Sequence, residues 1–151
     1  MSEDMRAIVF EWLGEVAHVF RVAAVALEQT FASIDALAAS AHAPDRSSLQ
    51  EVSCACLHLC GLQHGTPVST QRLSDVSAQT FTKEALDVTV VRVFRDLEFV
   101  VHRQVPCDTA LDARTLLAAA KRRRFRVDRS LDGTGDVHQK PRWLPQSGRC
   151  M

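Results

Sequence analysis

The stretch LQEVSCACLHLCGL, at residues 49–62, constrains the fold of this chain more than any other part of its sequence. Its one charged residue, Glu51, lies near its start, and apolar or small residues lie on all sides of a helix drawn through it. A helix that is apolar on all sides is buried on all sides. We therefore predict a helix over about residues 47–63 at the centre of the domain, with the other helices packed around it.

Four further helices are predicted around the central one, over about residues 2–20, 22–39, 69–77 and 82–97. Ser2 can cap the first, and two acidic residues follow it, as the positive end of the helix dipole favours. Apolar residues then recur at three- and four-residue steps: Ile8, Val9, Trp12, Leu13, Val16, Val19 and Phe20. Asp45 or Ser47 can cap the central helix, and Ser69 or Thr70 the next one.

The segment VTVVRVF, at residues 88–94, is the one place where propensity and periodicity disagree. Its β-branched residues favour a strand. However, Leu86, Val90, Val93, Phe94 and Leu97 fit a period of 3.6 residues, so we predict a helix. With no second strand candidate in the chain, the predicted fold class is all-α.

The C-terminal part of the chain differs from the rest in charge and in pattern. CDTALDARTLLAAAKRRRF, after Pro106, predicts one additional helix over residues 106–125. Residues 126–151 have no period and are rich in residues typical of disorder. From Lys121 onward there are nine basic and three acidic residues, whereas residues 1–120 hold nine basic and fifteen acidic ones. The neutral total therefore combines an acidic body with a basic tail.

Five cysteines are present, and Cys54, Cys56 and Cys60 lie within one apolar run. That spacing suits a reduced intracellular protein better than a disulfide framework. No secretory leader and no membrane-spanning apolar run is recognisable, so we expect an intracellular protein without a membrane partner. Cys56, Cys60 and His64 would share a helix face, but structural zinc sites usually take ligand pairs from loops or from two elements. We therefore expect core cysteines, no metal and no cofactor.

The opening of the chain resembles the signature at the start of a cyclin box, the five-helix module of cyclins. That signature is roughly Met-Arg-Ala-Ile-Leu, two residues, Trp-Leu, one residue and Glu-Val; here MRAIVFEWLGEV stands at residues 5–16. Three later stretches match at the expected spacing: Ile34-Asp35, Leu49-Gln50 and, at residues 81–84, FTKE. The resemblance covers about residues 4–105. It implies a cyclin box over residues 1–105, followed by the start of a second cyclin box that is otherwise missing, as is the helix that usually precedes the signature.

The resemblance also implies a structural ion pair between Arg6 and Asp35, which in cyclins is buried and locks the first two helices together. Buried charges are tolerated only when they are paired. The less favoured alternative is that these two residues are solvated charges.

A second implication is a shallow apolar patch that binds short Arg-x-Leu peptides of substrates and inhibitors. Its apolar residues would be Met5, Ile8, Val9, Trp12 and Leu49. Glu15 would bind the arginine of the peptide, and Gln50 its backbone. An exposed Trp among aliphatic residues beside a carboxylate suits such a site. Considered without the resemblance, the same residues would more often be plain core.

The kinase-binding residues of cyclins are altered in this chain. Cyclins that activate a cyclin-dependent kinase have a Lys where Leu62 stands and a Glu where Val90 stands. Losing both charges should weaken binding to standard kinases. Because the replacements are apolar, a hydrophobic contact with an altered kinase is the alternative.

The basic run Lys121, Arg122, Arg123 and Arg124 has three interpretations: a nuclear-import signal, a nucleic-acid contact, or a solvated helix end. Further on, Arg129-Ser130-Leu131 matches Arg-x-Leu and could dock onto the patch of its own chain.

No catalytic set is recognisable, so we do not expect an enzyme. We expect a cyclin-like regulator in the nucleus or cytoplasm. The alternatives are a docking or decoy protein that does not bind a kinase, and a nucleic-acid-binding use of the cyclin fold.

Overall fold

In a computed structural model the chain forms six helices, and the structure describes residues 1–98, 100 and 103–130, with side chains to Arg123. The helices are α1 (Glu3–Val19), α2 (Ala24–Ala38), α3 (Leu49–Gln63), α4 (Thr70–Val76), α5 (Lys83–Asp96) and α6 (Cys107–Ser130). No strand occurs within the described residues, and VTVVRVF lies in α5. The all-α prediction is therefore confirmed.

The central helix is α3, as its apolar surface predicts. It packs against α1, α2, α4 and α5, while α6 lies across α1 and α2 on another side of the domain. Its buried residues are Leu49, Val52, Ser53, Cys54, Ala55, Cys56, Leu57, Cys60 and Gly61. Small side chains allow the neighbours to come close: a Cβ on Gly61 would lie 2.7 Å from the Thr66 carbonyl oxygen. Only glycine fits that position without a shift of the backbone.

The helix starts follow the capping residues that the sequence contains. Ser2, Ser69 and Thr82 each accept a hydrogen bond from the backbone N–H three residues on, at 3.1–3.3 Å. Before α3, the Asp45 carboxylate accepts hydrogen bonds at 2.8 Å from the Ser48 hydroxyl, the Ser48 N–H and the Ser47 hydroxyl. The bonds from Ser48 and Ser47 lower the pKa of Asp45 to about 2.

The last helix is longer than predicted and belongs to the same core. It ends at Ser130, beyond the expected end at residue 125, and residues 131–151 lie outside the described residues. Ala113 and Leu117 are part of the core, and a Cβ on Gly14 would lie 3.1 Å from the Leu116 Cβ. The Arg114 Nε–Glu28 Oε1 ion pair, at 2.7 Å, adds a contact to α2.

Gln29 of α2 binds the backbone of Arg103, which lies between α5 and α6. The Gln29 amide donates to the Arg103 carbonyl and accepts from the Arg103 N–H, both at 2.7 Å.

Within the described part of the chain, no helix combines the length and the apolarity needed to cross a bilayer.

Arg6 and Asp35 form a two-point ion pair that joins the start of α1 to α2. Arg6 Nε and Nη2 each donate to an Asp35 oxygen at 2.8 Å, and the Arg6 guanidinium lies 4.2 Å from the centre of the Phe10 ring. The hydrogen bond to Asp35 raises the pKa of Arg6. The expectation of burial is wrong, since the side chains are 30% and 35% exposed. The pair lies at the edge of the domain, near the first turn of α1, where water reaches both groups.

This partial exposure sets the size of the effect that we expect from Arg6→Ala. A two-point charged pair contributes more than an ordinary surface pair, but water screens this one. We predict that the substitution lowers the free energy of unfolding by about 1–3 kcal/mol in urea melts. Lys83→Ala is the control, because Lys83 forms a single exposed pair with Asp87 at 2.6 Å and its loss should cost much less. Equal losses in the two variants would contradict a special role for the Arg6–Asp35 pair.

Candidate functional site

The residues assigned to the peptide patch lie on α1 and at the start of α3. Met5, Ile8, Val9 and Trp12 follow at three- and four-residue steps and therefore share one side of α1. Ile8 is 45% exposed, while Met5 and Val9 are half-buried. These three residues form an accessible apolar strip, and α1 contacts α3, where Leu49 and Gln50 lie.

Trp12 and Leu49 are not exposed anchors, and this part of the expectation is wrong. Trp12 is 4% and Leu49 is 3% exposed, and Trp12 belongs to the hydrophobic core. Trp12 lies at one edge of the buried stripe of α1, next to Val16, and its ring turns inward. A ring of that size contributes a large apolar area to the core. Neither residue can provide the main contact surface for a peptide.

Gln50 follows Leu49 in the first turn of α3 and has an unusual environment. Its Nε2 atom is buried and has no hydrogen-bond partner among the described residues. A buried amide without a partner costs roughly 1–3 kcal/mol, so such groups are rare unless a ligand or water satisfies them. The Gln50 amide is therefore an unsatisfied donor, and a carbonyl group can reach it only when the side chain or its neighbours move.

Glu15 is not free in the structure, because it lies beside the end of α6. Arg123 Nη1 is 2.9 Å from Glu11 Oε1, and Arg123 Nη2 is 3.3 Å from Glu15 Oε1. One guanidinium therefore bridges two carboxylates that are one turn apart on α1. Neither Glu11 nor the contact of Arg123 with α1 was predicted from the sequence. The available signals were the i, i+4 pair of acids and the basic run, although nothing in the sequence brings them together.

The two altered kinase positions differ in accessibility. Leu62, in the last turn of α3, is 53% exposed. Val90 is half-buried and packs against the core from α5. Leu62 is therefore the position that a partner could contact most directly.

The three cysteines of α3 are core residues without reactive character. Cys54, Cys56 and Cys60 are buried, and burial raises the pKa of each thiol. Cys60 Sγ lies 4.0 Å from the Ser33 hydroxyl. Within the described residues, no group of three or more His, Cys, Asp or Glu is placed to hold a metal ion.

The basic run lies at the surface of α6. Lys121, Arg122 and Arg123 are exposed, and Arg123 forms the bridge to α1. The side chain of Arg124 lies outside those that the structure describes, as does Leu131 of the Arg-x-Leu match.

Residues 1–102 match the family model of the cyclin N-terminal domain. The chain belongs to the cyclin family. Its helices, with α3 at the centre, accordingly form the cyclin fold. No individual curated protein and no solved structure matches the chain. The cyclin family is regulatory and not catalytic.

The burial of Trp12 leads to a prediction about stability. Trp12→Ala should lower the free energy of unfolding by about 3–5 kcal/mol, because it removes a large ring from the core and leaves a cavity. Ile8→Ala is the control, since Ile8 lies on the same helix and is largely exposed; it should cost less than about 1 kcal/mol. Urea melts followed by circular dichroism measure both. A Trp12→Ala variant as stable as Ile8→Ala would show that the indole is not part of the core.

Proposed function

We propose that this cyclin-family chain is a regulatory protein that docks Arg-x-Leu-type peptides at the exposed strip of α1 and the start of α3. We further propose that it binds a cyclin-dependent kinase through an altered, more apolar interface, in cell-cycle control. The observation that carries the docking proposal is the buried, unpartnered amide of Gln50.

Three chemical features support peptide docking. Met5, Ile8 and Val9 offer an apolar strip for the Leu side chain of a peptide. Glu15 offers a carboxylate for its Arg, at a partly exposed position. Gln50 offers an unsatisfied donor for a backbone carbonyl of an extended peptide. Trp12 and Leu49 contribute by holding α1 and α3 in place, since both are buried.

A labelled Arg-x-Leu peptide should bind the chain with an affinity on the order of micromolar, because short peptides bury little area and lose much entropy on docking. Gln50→Ala should weaken binding about three- to ten-fold, which is the loss of one hydrogen bond. The same substitution should leave the domain equally or more stable, because it removes a buried group without a partner. Glu15→Gln should weaken binding more at low salt than at high salt. Fluorescence polarisation and thermal melts give these values.

Matched controls for these variants lie away from the proposed docking site. Gln63→Ala removes an exposed glutamine at the other end of α3, and Glu84→Gln removes an exposed acid on α5. Both should leave peptide affinity unchanged. If Gln50→Ala and Gln63→Ala bound the peptide equally well, the amide would have no role in docking.

The exposed Leu62 supports a kinase contact that differs from the standard one. A Lys at this position of related cyclins forms a charged contact, whereas Leu62 offers apolar surface to a partner. We propose that standard cyclin-dependent kinases bind weakly and that the natural partner presents an apolar surface here. The exposed Lys121 and Arg122 support a nuclear-import signal, and we propose a nuclear or cytoplasmic location.

Adding the unaltered chain to a standard cyclin-dependent kinase should give little histone phosphorylation. Leu62→Lys should raise it, because it restores one charge at an exposed position. Val88→Lys is the control, since Val88 is 71% exposed on α5 and adds the same charge elsewhere. Strong activation by the unaltered chain, or equal activation by both variants, would contradict the proposed importance of position 62.

The second candidate function is a docking protein that does not activate a kinase, and the missing charge at Leu62 favours it. Peptide binding without phosphorylation in any of these mixtures would be the result that it predicts. A nucleic-acid function has less support, because Glu11 and Glu15 partly neutralise Arg123.

A further inference from the structure

The end of α6 places a guanidinium on the acidic side of the proposed docking strip. Ile8, Glu11 and Glu15 follow at three- and four-residue steps and share one side of α1. Arg123 binds Glu11 at 2.9 Å and Glu15 at 3.3 Å, so it lies beside the exposed Ile8 strip. Glu15 is also the carboxylate that would receive the Arg of a docked peptide.

We propose that Arg123 is an internal competitor for peptide docking, occupying Glu15 until a peptide arginine displaces it. The inference rests on the docking function proposed above and adds a regulatory contact to that site. The competitor is a single side chain of α6, and it is distinct from the Arg-x-Leu match at residues 129–131.

The fold presents Arg123 to α1 at a high local concentration. Leu116 packs closely against Gly14, Arg114 pairs with Glu28 at 2.7 Å, and Asp112 Oδ2 lies 3.9 Å from Arg6 Nη1. These contacts hold α6 against α1 and α2 whether or not Arg123 forms its bridge. A group held near its partner in this way competes as an intramolecular ligand, without the entropy that a free peptide loses on binding.

The exposure of the bridge limits how strongly it can compete. The side chains of Arg123, Glu11 and Glu15 are 48%, 54% and 43% exposed, so water and salt screen the contact. An exposed pair of this kind should raise the dissociation constant of a peptide by about two- to five-fold at low salt. The contact therefore adjusts the affinity of the site and does not close it.

The test compares Arg123→Ala with Arg122→Ala. Arg122 is the exposed neighbour, it carries the same charge, and it forms no ion pair with any described residue. Binding of a labelled Arg-x-Leu peptide to the full chain is measured by fluorescence polarisation at low and high salt. We expect Arg123→Ala to tighten binding about two- to five-fold at low salt, and Arg122→Ala to have less effect. The gain from Arg123→Ala should disappear at high salt and in a Glu15→Gln background.

The outcomes separate this inference from the docking proposal. If the unaltered chain binds the peptide and Arg123→Ala binds it no more tightly than Arg122→Ala, the competitor is refuted and docking stands. Weaker binding by Arg123→Ala would also refute it, since the bridge would then be positioning Glu15 for the peptide. If no variant binds the peptide, the docking function fails and this inference fails with it.

Discussion

The burial of most of α3 by four neighbouring helices is the constraint on which the rest of the domain depends. A helix buried to this extent must have its polar side chains satisfied inside: Ser53 donates to the Leu49 carbonyl at 2.7 Å, while on α2 Thr30 donates to the Ala26 carbonyl at 2.7 Å. It also needs neighbours on every side, which accounts for four helices packing against it. Gln50 lies in its first turn, and the exposed Leu62 lies in its last turn. The proposed docking and kinase positions are thus held about 18 Å apart along one rigid helix.

The fold could be predicted from the sequence because its signals are local. The helical period of its apolar residues predicted α5 correctly despite its strand propensity. Hydroxyl caps begin α1, α4 and α5, and Asp45 caps the turn that leads into α3. How deeply a given side chain is buried could not be predicted in the same way. Trp12 lies on the boundary of the buried stripe of α1, where the pattern alone does not say whether a large ring turns inward or outward. The Arg6–Asp35 contact was suggested by the resemblance, but its exposure depends on how far the start of α1 projects from the domain.

Contacts between distant parts of the chain were outside what the sequence could predict. Arg123 and Glu11 are 112 positions apart, and composition shows only that the body is acidic and the C-terminal part basic. Pairing them requires α6 to cross α1, which depends on the fit of Leu116 to Gly14. A glycine in the middle of an amphipathic helix is weak evidence for such a crossing, because it could also reflect a local packing need or a tolerated cost to the helix.

The two polar partners of the proposed docking site differ in how they are kept ready. The Gln50 Nε2 atom is buried and has no partner among the described residues, a situation that generally costs roughly 1–3 kcal/mol. The Glu15 carboxylate is exposed and already paired, so it carries no comparable cost. A stored cost at one group is typical of positions kept for binding and not for stability. A peptide that reached the site would gain most from the amide and least from the carboxylate, since only the carboxylate must first give up another partner. The backbone of the peptide would then contribute more to affinity than its Arg, and the Arg would mainly select which peptides bind.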